Sequence, residues 1–117
     1  MKTAMADIEA KIVRKLLGDI LAAGLTISVY DGGDYPVVRY GTDLEKVFEA
    51  LASTSEDELV ICWPKDAQGN RMRVGWIRLV YNGDYSVIQH YTVTLEPEVA
   101  GANELADELA DELEDAQ

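Results

Sequence analysis

Two segments of this chain, VYDGGDYPVV at residues 29–38 and VYNGDYSVI at residues 80–88, are written from the same parts. Each sets Asp-Gly or Asn-Gly between apolar residues and tyrosines. Those dipeptides suit tight hairpin turns, whose central residues need positive φ. Two hairpins commit the chain to a largely antiparallel sheet, because a short link cannot join parallel neighbours. Tyr30 is expected opposite Tyr35 and Tyr81 opposite Tyr85, where a cross-strand aromatic pair contributes about 0.2–1 kcal/mol. A duplicated calcium loop built on Asp31, Asp34, Asn82 and Asp84 is the rival reading. Calcium takes about six to eight oxygens, and each turn offers only two side-chain ligands. Turn chemistry already accounts for every shared residue, so no metal is expected here.

The rest of the chain is spaced around these hairpins. Ile8, Ile12, Val13, Leu16, Leu17, Ile20 and Leu21 recur at helical spacing, with Glu9, Lys11, Arg14, Lys15 and Asp19 on the solvent side. Gly24 closes this helix. LTISVY alternates as a strand with one buried face, and Pro36 in the return strand places that strand at a sheet edge. Thr42 and Glu45 form a capping box for a second helix with the stripe Leu44, Val47, Phe48 and Leu51. Strands follow in ELVICW, RMRVGWIRLVY and YSVIQHYTV. A last helix starts at Pro97, with Gly101 as its weakest point. The expectation is one α+β domain in the order α-β-β-α-β-β-β-α, with a mainly antiparallel five-stranded sheet and helices packed on it. Residues 1–96 make the body, and 97–117 an acidic helix of the same domain.

The net charge of −12 is unevenly placed, since nine acids and no base lie from Glu96 onward. The preceding residues carry thirteen acids against ten bases, a net of −3. A slightly negative body argues against direct nucleic-acid binding, which relies on Lys and Arg displacing counterions. Lys65, Arg71, Arg73 and Arg78 fall close together and have acidic partners within the chain. The acidic helix has two readings: a solvated face beside the stripe Ala102, Leu105, Ala106, Leu109 and Leu113, or a mimic of DNA phosphates that occupies a nucleic-acid-binding protein.

Chemistry-bearing residues are sparse. His90 is the only histidine and Cys62 the only cysteine. One of each cannot supply a zinc site of three or four such ligands, and no internal disulfide can form. Cys62, between Ile61 and Trp63, reads as a small buried hydrophobe. No phosphate-binding or dinucleotide fingerprint is present. The expectation is a non-enzymatic protein without cofactor. No signal-like apolar run or membrane span is legible, and the cytoplasm is the expected compartment.

The runs SVYDGGDYPVVR, STSEDELV, VGWIRLVYNGD and YTVTLEP resemble a scattered group of short, uncharacterised bacterial and phage-borne proteins. That resemblance implies a compact accessory protein of prophage origin. It brings no activity, cofactor or site residue.

Strand alternation singles out one surface. Ile77, Leu79, Tyr81, Tyr85, Val87 and Tyr91 should share the face that meets the first two helices. Val74, Trp76, Arg78, Ser86, Ile88 and His90 should face away, near Tyr30 and Arg39 of the first hairpin. Aromatic residues with arginine are what interaction hot spots are enriched in. Tyr30, Arg39, Trp76, Arg78 and His90 are therefore the candidate contacts for a protein partner or a second copy of the chain. Two outcomes stay open: a face left to solvent, or one covered by the last helix.

Overall fold

A computed structural model describes residues 5–115. The order is α1 (Asp7–Ala22), β1 (Thr26–Tyr30), β2 (Val38–Gly41), α2 (Leu44–Glu49), β3 (Glu56–Cys62), β4 (Arg73–Val80), β5 (Ile88–Tyr91), a single 3-10 turn (Val93–Leu95) and α3 (Glu96–Asp115). The five strands form one sheet in the order β2-β1-β3-β4-β5, every neighbouring pair antiparallel. This is the α+β arrangement that the two hairpins imply.

The helices share one face of the sheet. Ile27 and Val29 of β1, Leu59 and Ile61 of β3, and Ile77 and Leu79 of β4 lie in cross-strand rows on that face, all fully buried. They form one apolar cluster with Ile12, Val13, Leu16, Leu17 and Ile20 of α1. Val99 and Ala102 of α3 join the same cluster, with Ala106 and Leu109 partly buried against it. Each fully buried aliphatic side chain is worth about 1.5–3 kcal/mol, so α3 is held by the start of its stripe. The side chain of Leu113 lies outside the described residues. Gly101 marks the crossing of α3 with α1: a Cβ there would sit 2.5 Å from Asp19 Oδ2 and 3.0 Å from Lys15 Cε.

Local chemistry sets several ends. Gly24, at φ +83°, lets the Gly24 N–H reach Leu21 O and the Leu25 N–H reach Ile20 O, the paired bonds of a Schellman cap. The second helix starts one residue later than the sequence pattern indicates. Asp43, not Thr42, is its N-cap and accepts from the Lys46 N–H at 3.2 Å. Glu45 turns outward to Arg14 instead, at 2.5 and 3.0 Å.

Both hairpins form, but with longer loops than a two-residue turn. In the first, Val29 pairs with Val38 and the Val37 N–H donates to Val29 O, leaving Tyr35 79% exposed in the loop. In the second, the Val80 N–H meets Val87 O, and Tyr81 leaves the ladder to donate its N–H to Ser55 O. Neither tyrosine pair is therefore formed. Asp84 accepts from both the N–H and the hydroxyl of Ser86, at 2.9 and 2.5 Å, and these bonds hold its carboxyl below the usual range. That Asx turn does the work expected of an Asn-Gly turn.

Candidate interaction surface

The side of the sheet away from the helices follows from strand parity and two irregularities. Tyr30 of β1, Glu58 of β3, Arg78 of β4 and His90 of β5 stand in one cross-strand row. The next row sets Ser28, Val60 and Trp76 side by side. No helix covers these rows: Tyr30, Val60 and Trp76 are half-buried, and Glu58, Arg78 and His90 are exposed. The last helix packs on α1, and no ion pair among the described residues links it to Lys65, Arg71, Arg73 or Arg78. Arg78 pairs with Glu56 of the neighbouring strand at 2.5 Å, and Arg71 stacks over the Tyr40 ring at 3.8 Å.

Four of the five candidate residues thus stand in or beside one row of the open face. Arg39 lies on the edge strand β2; Val38 faces the core, so Arg39 points to the open side, exposed. Of the five candidates, Tyr30 and Arg78 line a groove on this face, and Arg39, Trp76 and His90 do not. That groove, about 400 Å³, runs over β3 between Tyr30 and the arginines of β4, with Gly32 and Gly33 of the first loop at one end. Glu56, Asp57, Glu58 and Val60 line it from β3, and Arg73 and Arg78 from β4.

Bulges decide what sequence alternation could not. One between β3 and β4 sets Cys62 opposite Arg73, although Ile61 opposes Gly75. It turns Arg73 into the groove, against the strict alternation of its strand. A second, between β4 and β5, sets Ile88 opposite Leu79. Ile88 consequently packs against the core rather than facing away, while His90 stays opposite Arg78. Ser86 and Tyr85 belong to the loop and are exposed, so they join neither face. Glu58 and Val60 were legible, since ELVICW alternates them against Leu59 and Ile61. Nothing local marks Arg73.

Thr26, Ser28 and Cys62 have outward parity yet are buried. The Arg71–Tyr40 stack bridges the sheet at their end, joining the β3–β4 loop to β2. Thr26 donates its hydroxyl to Cys62 O, and Ser28 Oγ accepts from the Tyr40 N–H. Tyr40 sits at φ +52°, a left-handed conformation unusual for a non-glycine residue.

Behind the groove lies a buried polar cluster absent from the sequence expectations. Glu9, read from its spacing as a solvent-side residue, is fully buried. Its Oε1 accepts from the Ala6 N–H at 2.9 Å and its Oε2 from the Gly83 N–H at 3.0 Å. Asp57 Oδ2 accepts from the Ala52 N–H at 2.8 Å and from the Tyr81 hydroxyl at 2.6 Å. Burial first, and then the Asp57 carboxylate, push the Tyr81 hydroxyl far above its ordinary range. Two carboxylates from α1 and β3 thereby moor the second hairpin loop.

Among the described residues, no group of three or more His, Cys, Asp or Glu side chains is placed to hold a metal. No helix there is long and apolar enough to cross a membrane. The fold and this surface define a class: a two-layer α+β domain with helices on one side of an antiparallel sheet and an aromatic, arginine-bearing face on the other. Compared with family models, curated proteins and solved structures, the chain has no significant match in any of the three.

Proposed function

We propose that this chain is a small non-enzymatic interaction module that engages a protein partner through the open face of its sheet. One observation carries the reading: the helices occupy a single side of the sheet, leaving Tyr30, Trp76, Arg78 and His90 together on the other. An antiparallel sheet can keep one face wet, but such faces are then usually polar. Here the face carries a half-buried tryptophan beside Val60, and a groove of about 400 Å³ runs across it. Tryptophan, tyrosine and arginine gathered on one surface are the composition of binding hot spots. His90 stands opposite Arg78 and is exposed. The setting of action is the cytoplasm, and the accessory, prophage-derived role implied by the resemblance is compatible with so small a module.

The test uses a photo-crosslinking amino acid introduced at His90 in one variant and at Lys11, on the helix side, in another. Each is irradiated in lysate of the producing organism. Discrete crosslinks from position 90 but not from position 11 support the reading. Crosslinks confined to the helix layer refute it, and a third probe at Glu108 that alone captures nucleic-acid-binding proteins would favour an acidic inhibitor acting through α3.

A further inference from the structure

We propose that the partner presents an acidic, extended segment, docked with its carboxylates at the Arg71–Arg73 end of the open face and an apolar side chain over Val60 and Trp76. This rests on the face being the docking surface. The charge distribution is what selects the ligand. The groove itself is lined by Arg73 and Arg78 against Glu56, Asp57 and Glu58, and Arg78 is already paired with Glu56. At the Arg71–Arg73 end, by contrast, neither arginine has a carboxylate within reach among the described residues, so that end is locally basic on a chain whose net charge is −12. Arg71 is clamped on the Tyr40 ring, and its Nε is buried without an acceptor. A carboxylate is the acceptor that a guanidinium engages most strongly.

The polarity along the face narrows the choice. Arg71 and Arg73 stand at the end where Thr26 pairs with Cys62. Glu56, Glu58 and Arg78 stand at the other, beyond which lie Asp31 and Asp34 of the first loop. A nucleic-acid strand bears charge at every step and would run its phosphates over Glu58 and Glu56. A peptide can confine its carboxylates to one end. Exposed Met72, at 72%, and Trp63, at 49%, flank the basic end and supply apolar surface beside the charges.

The experiment titrates the isotopically labelled full chain, by amide and indole NMR, with a short synthetic peptide alternating Glu and Leu. The same peptide with Ser or with Lys in place of Glu, and an oligothymidylate, serve as comparisons. The expected result is binding of the Glu peptide alone, with shifts at Arg73, Val60 and the Trp76 indole, weakening as salt rises. Arg73→Glu should weaken it by roughly tenfold, as loss of a close charge pair does, whereas Arg39→Glu, on the edge strand away from the groove, should leave it nearly unchanged. Both side chains are exposed, so the variants should keep the wild-type spectrum elsewhere. Equal binding of the Ser peptide at the same residues overturns the acidic preference and leaves the docking face standing. Shifts confined to α1 and α3 overturn both. No binding of the Glu peptide, tighter binding of oligothymidylate, or self-association through Trp76 in the absence of peptide each overturns the acidic-segment proposal.

Discussion

Replacing Glu9 tests whether a residue that looks like surface decoration in the sequence is a structural anchor. Its carboxylate accepts from Ala6 and Gly83, tying the first turn of α1 to the loop between β4 and β5. Ala6 offers no side-chain oxygen as an N-cap, so among the described residues Glu9 supplies the side-chain bond at that helix start. A hydrogen bond to a charged group contributes about 1.5–3 kcal/mol. Glu9→Ala loses two. Both N–H groups are only part-buried, so water can recover some of that, and removing a buried carboxylate relieves its desolvation. The net expectation is a loss of about 2–4 kcal/mol. With a urea m-value of about 2 kcal/mol/M, the middle of the range for small proteins, the midpoint should fall by about 1–2 M. Glu9→Gln keeps the shape but sets an amide NH₂ against a donor, and should lose about 1–3 kcal/mol. Urea unfolding followed by circular dichroism measures both. A loss below about 0.5 kcal/mol for Glu9→Ala, the range of ordinary surface changes, would refute the anchoring argument.

Three further outcomes are expected. Trp76→Ala should cost no more than about 1–2 kcal/mol, well short of the 3–5 kcal/mol typical of a core tryptophan, because the side chain stays half-exposed; a larger loss in the same urea assay would place it in the core. Gly75→Ala should destabilise by about 1–3 kcal/mol through overpacking, since its Cβ would lie 2.8 Å from Thr92 Cβ and 3.1 Å from Leu95 Cδ1; an unchanged melting temperature would contradict that packing. Tyr81 is raised above its unfolded value of 10.0, so its contribution is fully present below that pH and declines as pH rises beyond it, by up to about 1.4 kcal/mol per unit. Tyr81→Phe should therefore be less stable than wild type at pH 8, with the gap narrowing at pH 11; a gap that widens would be inconsistent with a buried, protonated hydroxyl.

The architecture was legible where periodicity and turn chemistry agree. The α1 stripe, the Schellman end at Gly24, the edge position of β2 and both hairpins all follow from residues read in order. The pairing of β1 with β3 did not, because it joins residues 28 to 36 positions apart (Tyr30 with Glu58 at the near end of that register, Thr26 with Cys62 at the far end) and no local pattern encodes it. Within the open face, Tyr30, Trp76, Arg78 and His90 were found by alternation alone. Arg73 and Ile88 were not, since each sits at a bulge, where one extra residue inverts the parity that alternation assumes. Glu9 escaped for another reason. Helical spacing assigns a residue to a side of its helix, but burial depends on what a distant loop brings against that side.

The distribution of strand lengths has a consequence for how copies of this chain meet in crowded conditions. The long strands, β3 and β4, are interior, while the two borders of the sheet, β2 and β5, are four residues each. Each border also carries a register shift against its neighbour. Short, kinked borders offer a poor template for another strand, which is how sheets resist stacking edge to edge into fibrils. The sheet can thus leave its aromatic, arginine-bearing broadside open without its borders seeding open-ended polymerisation.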